Sequence, residues 1–250
     1  MEGISIVTTV KNEERHIKDF IESIAVQEGP FELIIVDSMS SDNTLKIINE
    51  LMERYDFIRL IRMKSTRGAG RNIGARNSIY NYIAFIDGDA IADKNWLKSI
   101  RRHLSYDLIA GETVTRGRYR LDRVKIYYKG FEVTRPSANL IYKKDLFFRI
   151  NGFDENFITA EDIDLNIRAI DAGARYTLCQ DCIVYNLSRD DIKGFIKQAF
   201  WNGYGRLQLK RKHKNMKFGY KGEIKNIFRP YYFIRNFFGA IGYIYAIMKN

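Results

Sequence analysis

The 250-residue chain is poor in the elements that staple or interrupt folds: two cysteines, three prolines and three histidines. It has no Ser/Gly/Pro-rich linker, no low-complexity tract and no internal repeat, which excludes a solenoid or a beads-on-a-string arrangement. Cys179 and Cys182 form a C-x-x-C. A zinc site needs two further thiolate or imidazole ligands, and His16, His103 and His213 all lie far from this pair in sequence. A redox motif belongs at a helix N-terminus beside an early strand, whereas this pair sits in a late strand-like segment, so structural thiols are expected. A long apolar run is also missing. In the last segment, Arg235 and Asn236 leave only Phe237 to Met248 uninterrupted, short of the roughly 20 residues that span a bilayer. The first residues, MEGISIVTTV, lack a basic leader region and enter a strand pattern at once. No cleaved signal peptide is therefore expected, and a cytosolic location follows by default.

What is present suits a folded globular protein: 46% hydrophobic and 28% charged residues, in a length that fits one large α/β domain or a domain with an appendage. The net charge of +11 is unevenly placed. Between Arg206 and Arg235 ten Lys/Arg face a single acid, Glu223. A basic tail of this kind suits an acidic partner, either nucleic acid or the anionic face of a membrane. The aromatic Tyr231, Tyr232, Phe233, Phe237, Phe238 and Tyr243 beside these cations are residue types of the membrane interface. A pair of helices packed on the domain, or a dimer contact, is the structural alternative.

Hydrophobic periodicity orders the first hundred residues. ISIVTTV, FELIIVD, FIRLIRM and YIAFID read as buried strands, separated by helix-like runs such as Ile17, Phe20, Ile21 and Ile24. Asp42 or Asn43 is placed to cap the second helix. This alternation predicts parallel β-α-β units whose loops converge at the carboxyl ends of the strands. Beyond about residue 104 the rhythm changes. DLIAGETVTRG and RYTLCQDCIVYN read as strands, AEDIDLNIRAIDAG as a helix closing at Gly173, and IKGFIKQAFWNGYGRLQLKRK as another helix.

Acids gather at the predicted strand ends: Asp37 after the second strand, Asp87 and Asp89 after the fourth. An Asp-Gly pair can make a hairpin turn, but AIADKNWLKSI reads as loop then helix. Two carboxylates two residues apart after a buried strand can instead hold a hard divalent cation with positions open for diphosphate oxygens. Glu161, Asp162 and Asp164 open a helix. They serve there either as complements to the helix dipole or as a general base toward an alcohol.

In order, ISIVTTVKNEE, IIVDSMSSDNT, RGAGRNIGARN, IAFIDGDA, NGFDENF and EDIDLNIRA resemble glycosyltransferase family 2, the inverting enzymes that use nucleotide-diphosphate sugars, over about Ile4 to Asp171. The resemblance implies a GT-A fold, a Rossmann-like mixed α/β sheet flanked by helices, here with a C-terminal basic and aromatic helical extension. It implies a nucleoside pocket from Thr8, Thr9, Glu14 and Asp37, with Asp42 beside it or capping its helix. Arg71 would stand beside the diphosphate, and Asp87 and Asp89 would hold Mg²⁺ or Mn²⁺, Asp89 being the nearer ligand. Asp162 would be the catalytic base with Glu161 its neighbour, and Asn139 with the NGFDE loop would line the acceptor site. Asn186 stands about where many relatives carry a metal- or phosphate-binding His, and Asn151 where Gly is usual. The Q-x-x-R-W motif of processive members is lacking in QAFWNGYG, which favours transfer of a single sugar. The implied donor is a UDP- or GDP-sugar, and the acceptor a glycan or lipid-linked hydroxyl.

The expected division is 1–205 for the transferase domain, with 1–104 its nucleotide half and 105–205 its acceptor half, and 206–250 for the tail, a peripheral membrane element. The alternatives are weaker. A Rossmann oxidoreductase needs G-x-G-x-x-G after an early strand, and here Ile73 occupies the third glycine's place. Gly68, Gly70 and Gly74 are then better read as allowing a close loop-to-helix turn against the sheet. A nucleotidyltransferase opens with a Gly- and Arg-rich loop that TTVKNEE does not supply. A nucleic-acid binder would leave the strand-end carboxylates unexplained.

Overall fold

The computed structural model describes residues 1–116, 124–187, 192–214, 219–221 and 230–249. Four strands form where the β-branched runs predict them: β1 (Ile4–Val10), β2 (Phe31–Asp37), β3 (Ile58–Arg62) and β4 (Tyr82–Ile86). All pair in parallel, with β1 between β2 and β4 and with Val10 in register with Asp37. Helices α1 (Ile17–Ala25), α2 (Thr44–Met52) and α3 (Arg67–Arg76) provide the crossovers.

Because side chains alternate across a strand, each buried run feeds two cores. Ile4, Ile6, Leu33, Ile35, Ala84 and Ile86 face one, with the apolar stripe of α1. Val7, Ile34, Val36, Ile83 and Phe85 face the other. That two-sided burial is why these runs are continuously apolar instead of alternating.

The second half is mixed. It contains β5 (Ala90–Ala92), α4 (Trp96–Arg101), β6 (Leu108–Arg116), β7 (Lys125–Tyr128), β8 (Phe131–Glu132), β9 (Asn139–Lys143), α5 (Lys144–Arg149), α6 (Glu161–Asp171), β10 (Tyr176–Leu187), α7 (Ile192–Lys212), β11 (Gly219–Lys221) and α8 (Pro230–Met248). The main sheet runs β3-β2-β1-β4-β9-β6-β10-β5, and β11-β7-β8 form a small second sheet. β9 is antiparallel to both β4 and β6, β10 is parallel to β6, and β5 is antiparallel to β10. The β4–β5 segment is thus no hairpin.

The expectation of structural thiols is corrected in one respect: Cys179 and Cys182 are bonded to each other as a disulfide. The register of β10 against β6 shifts between Cys179 and Ile183, and this bulge brings the two Cα atoms to 5.3 Å, within disulfide range. His103, Cys179 and Asp181 lie close together, but a sulfur held in a disulfide is not a metal ligand.

The boundary expected at residue 205 falls within α7. Helix α8 packs along α7 at backbone distance, since a side chain at Gly203 would overlap the Gly239 carbonyl and one at Gly242 the Phe200 carbonyl. Among the described residues no helix is long and apolar enough to cross a membrane. Of the basic tail, Lys217, Glu223, Lys225 and Arg229 lie outside the described residues.

Candidate active site

The carboxyl ends of β1, β2 and β4 meet the N-terminus of α3 and the first turn of α6. The α3 glycines act through their lack of a side chain. A Cβ at Gly70 would stand 2.6 Å from Thr9 Cγ2, and one at Gly74 would overlap Val7. Helix α3 therefore lies directly on β1, with Thr66 capping it by accepting from the Ala69 amide at 3.3 Å.

The residues expected around a nucleoside are brought together at the ends of β1 and β2. Asp37 is fully buried. It accepts from the Ser40 amide at 3.1 Å and pairs with Arg62 at 3.5 Å. The Thr8 hydroxyl is buried without a hydrogen-bond partner among the described residues, and Thr9 lies against Gly70. Asp42 accepts from the Thr44 amide at 3.0 Å and from the Glu14 amide at 3.2 Å. Burial acts upward on its carboxyl, but bonds from the Thr44 hydroxyl and from the amides hold it below the usual carboxylate range. Glu14 answers by accepting from the Asn43 amide at 3.0 Å. Asp42 and Glu14 thus lock the first loop onto the start of α2.

The second cluster joins three segments distant in sequence. Arg71 is 1% exposed. It donates to Asp87 Oδ1 at 2.6 Å and to Glu161 Oε1 at 2.9 Å, with its guanidinium 5.4 Å from the centre of the Phe153 ring. The expected diphosphate cation is therefore committed to two carboxylates, and it holds β4's end against α6. The residue missed from sequence is Arg67, one turn earlier on the same face of α3 and exposed. Partial desolvation by its neighbours acts against its charge, but the fields of Asp87, Glu161, Asp162 and Asp89 push its pKa up. A signal was available in part, because arginines at i and i+4 on a helix share one face and so address the same site.

Asp162 is partly buried, with one oxygen accepting from the Ile163 amide at 2.8 Å and the other from the Ser137 amide at 3.3 Å. Burial first, and then the neighbouring Glu161, raise its carboxyl to about 6. That places it where a base for neutral pH should stand. Asp164, by contrast, is structural. It is fully buried, joined by His213 at 2.9 Å, Lys212 at 2.9 Å and Arg168 at 2.8 Å. Burial opposes the charge, yet the His213 bond and these cations bring it down to about 2.

Asn139 does not join the cluster. Fully buried, it accepts from Trp96 Nε1 at 3.0 Å and donates to the carbonyls of Glu112 and Cys182 at 2.9 and 2.8 Å, so its amide is spent inside the sheet. In the NGFDE loop, Asn151 and Gly152 both take positive φ, 63° and 58°. Asn tolerates that left-handed conformation, which explains its presence where Gly is usual. Asn72 then fastens the loop by accepting from the Phe153 amide at 2.8 Å.

A hard divalent cation fits the donors at the end of β4. Arg71 engages one oxygen of Asp87, and the other makes no hydrogen bond among the described residues. Burial and then the like charge of Asp87 push the Asp89 carboxyl up, a repulsion that a cation between the two would relieve. Asn186, in register with Ala90, has a buried side-chain oxygen without a hydrogen-bond partner among the described residues.

A family model described as Glycosyl transferase family 2 matches residues 5–160. The chain is 25% identical to glycosyltransferase AglE of Haloferax volcanii over 224 residues, 82% of this chain and 73% of that one. It is 33% identical to a poly-beta-1,6-N-acetyl-D-glucosamine synthase of Staphylococcus epidermidis over 96 residues, 37% of this chain and only 23% of the synthase. Among solved structures it superposes on the mannosyltransferase PcManGT from Pyrobaculum calidifontis, in complex with GDP-Man and Mn²⁺. That match has a TM-score of 0.67 at 15% identity and covers 98% of this chain and 73% of that one. S. aureus TarS 1–349 in complex with UDP-GlcNAc matches with a TM-score of 0.63 at 18% identity, covering 84% and 67%. At such identities the structural likeness speaks for the fold alone.

Proposed function

The chain belongs to glycosyl transferase family 2 and has the GT-A fold, and from that premise we propose that it is an inverting, metal-dependent transferase moving one sugar from a UDP- or GDP-sugar to an acceptor hydroxyl. The observation that carries this reading is the joining of Asp162 to the Asp87–Asp89 pair through Glu161 and Arg71. A base and a candidate cation site thereby stand in one rigid cluster.

The nucleoside would lie at the ends of β1 and β2, by Thr8, Thr9 and Asp37. Arg67, at the rim, would meet the diphosphate, while Arg71 keeps Asp87 and Glu161 in place. Asp162 takes the proton of the acceptor hydroxyl as the acceptor oxygen bonds to the anomeric carbon, and the bond from that carbon to the diphosphate oxygen breaks. The nucleoside diphosphate leaves with the bonding pair, and a single displacement inverts the centre. Mg²⁺ or Mn²⁺ held by Asp89 and Asp87 would supply charge neutralisation on the diphosphate. The fixed position of Asp162 comes from the Ser137 and Ile163 amides.

We assign 1–205 to the transferase domain and 206–250 to a tail that touches the membrane peripherally. Support for the tail's role is the exposed apolar face of α8, where Phe233, Phe237 and Ile244 are 67%, 53% and 55% exposed. A lipid-linked acceptor is consistent with that placement. The test is release of nucleoside diphosphate from a panel of UDP- and GDP-sugars with Mn²⁺ or Mg²⁺. Turnover of at least one donor is expected, stopped by EDTA and restored by added metal. No turnover of any donor, or undiminished turnover in EDTA, would refute it.

A further inference from the structure

A cavity of about 500 Å³ lies between α6, α7, α8 and the start of β7, outside the carboxylate cluster. Its walls are of two kinds. Ile163 and Ile167, one turn apart on α6, line it with Leu209 of α7 and Tyr243 of α8. Arg206 and Lys210, one turn apart on α7, line it together with Lys214. Among the described residues none of these three cations has an ion-pair partner, although Lys212 and His213 beside them are tied to Asp164. An apolar wall facing unpaired cations is complementary to a molecule with a hydrocarbon part and an anionic head.

Two further features fix the kind of amphiphile. Ile163 directly follows Asp162 in the first turn of α6, so the apolar wall and the proposed base are presented by the same helix turn, about 100° apart around it. On α8, Phe233, Phe237, Ile241, Ile244 and Met248 recur at spacings of four, four, three and four, and all are exposed. That is one apolar stripe on a helix that also contributes Tyr243 to the cavity. A free phosphate compound would leave the isoleucine wall wet, and a nucleic acid would need its cations spread along an open groove.

Resting on the transferase reading above, we infer that this cavity is the anchor for a lipid-phosphate acceptor: the phosphate or diphosphate sits on Arg206, Lys210 and Lys214, and the first part of its isoprenoid or alkyl chain lies against Ile163, Ile167 and Tyr243. The sugar-accepting hydroxyl is then carried to Asp162 from the membrane side of the molecule.

The test is calorimetric binding to the full chain, without nucleotide sugar and without vesicles, of farnesyl phosphate below its aggregation limit, farnesol and inorganic phosphate. One farnesyl phosphate is expected per chain, at least about tenfold tighter than either half-molecule. The double charge reversal Arg206→Glu with Lys210→Glu should weaken it by about tenfold or more, and Arg206→Lys should keep it. Both positions are exposed, and thermal melting checks that the variants are folded. Equal binding by the double variant and the parent, or farnesol binding as tightly as its phosphate, overturns the proposal. Because no donor is present, the result is independent of the transferase test. A chain that turns over a nucleotide sugar but ignores farnesyl phosphate refutes this inference alone.

Discussion

Arg71 and Glu161 stand 90 positions apart in the chain and meet at 2.9 Å, while the other arm of the same guanidinium holds Asp87 at 2.6 Å. One fully buried cation thus fixes α6 against the end of β4. Replacing it takes from the buried Glu161 and the half-buried Asp87 their shared ion-pair partner. Arg71→Met is expected to lower stability by about 3–5 kcal/mol, the scale for removing one partner of a buried ion pair. Arg71→Lys, able to satisfy one carboxylate at a time, should fall between. Denaturant unfolding checks this, and an unshifted midpoint for Arg71→Met would show that the bridge does not hold the site.

Asp162 supplies a pH dependence with a definite sign. Its carboxyl is raised to about 6, and a base acts when deprotonated. The kcat/KM for transfer should therefore be constant above about pH 7 and fall as pH drops through 6. Asp162→Asn should lose transfer by about 10²-fold or more and lose the limb with it. Because the folded pKa lies above the ordinary carboxylate value, ionised Asp162 disfavours folding at neutral pH. Asp162→Asn is thus expected to be at least as stable as the parent at pH 7. A variant with unchanged transfer and an unchanged pH limb would remove Asp162 from the chemistry.

Arg67 is the exposed cation in the field of four carboxylates, and the proposed contact of the diphosphate. Arg67→Ala is expected to weaken binding of the nucleoside diphosphate by about 10- to 100-fold, the scale of a charge-assisted hydrogen bond. Its melting temperature should stay near the parent's, since no buried partner is abandoned. Titration with UDP and GDP decides it, and unchanged affinity for both would return the diphosphate role to Arg71.

The contrast between these two arginines shows what sequence conveys. Strands β1 to β4 were legible because their β-branched runs are buried on both faces, and the strand ends marked Asp37, Asp87 and Asp89. The glycines of α3 were legible as a close approach to the sheet. Strand β9, five residues long, was not, because its place between β4 and β6 is set by antiparallel pairing across the whole fold. The burial of Arg71 depends on Glu161, which no local pattern links to it. Asn139 looked like an acceptor contact by position, yet Trp96 and two carbonyls from distant strands consume its amide. The Cys179–Cys182 bond depends on a bulge that periodicity does not encode.

The α7–α8 contact offers a separate test of the tail. At Gly203 any side chain would overlap the Gly239 carbonyl, so Gly203→Leu should push α8 from α7 and expose Tyr204 and Leu207 of α7 and Ala246 of α8, which now pack together. Faster proteolysis within 230–249 is expected, and proteolysis at the parent rate would show that the helices do not pack this closely.

Asp164 ties α6 to α7, and its charge should be visible in acid. The folded carboxyl stands at about 2 against an ordinary 3.8, so the group stabilises the fold above about pH 4 and loses that contribution as pH falls toward 2. The difference corresponds to about 2–3 kcal/mol. Unfolding free energy should therefore decline across that window in the parent. In Asp164→Asn this part of the decline should be missing, with lower stability at pH 7 because His213, Lys212 and Arg168 lose their common acceptor. Since Lys210 and Lys214 flank that tie, the same variant should also loosen the basic wall of the α6–α7 cavity, with hydrogen exchange rising first in the last turn of α7. If the parent and Asp164→Asn lose stability in parallel between pH 4 and pH 2, the carboxylate is not the group that titrates.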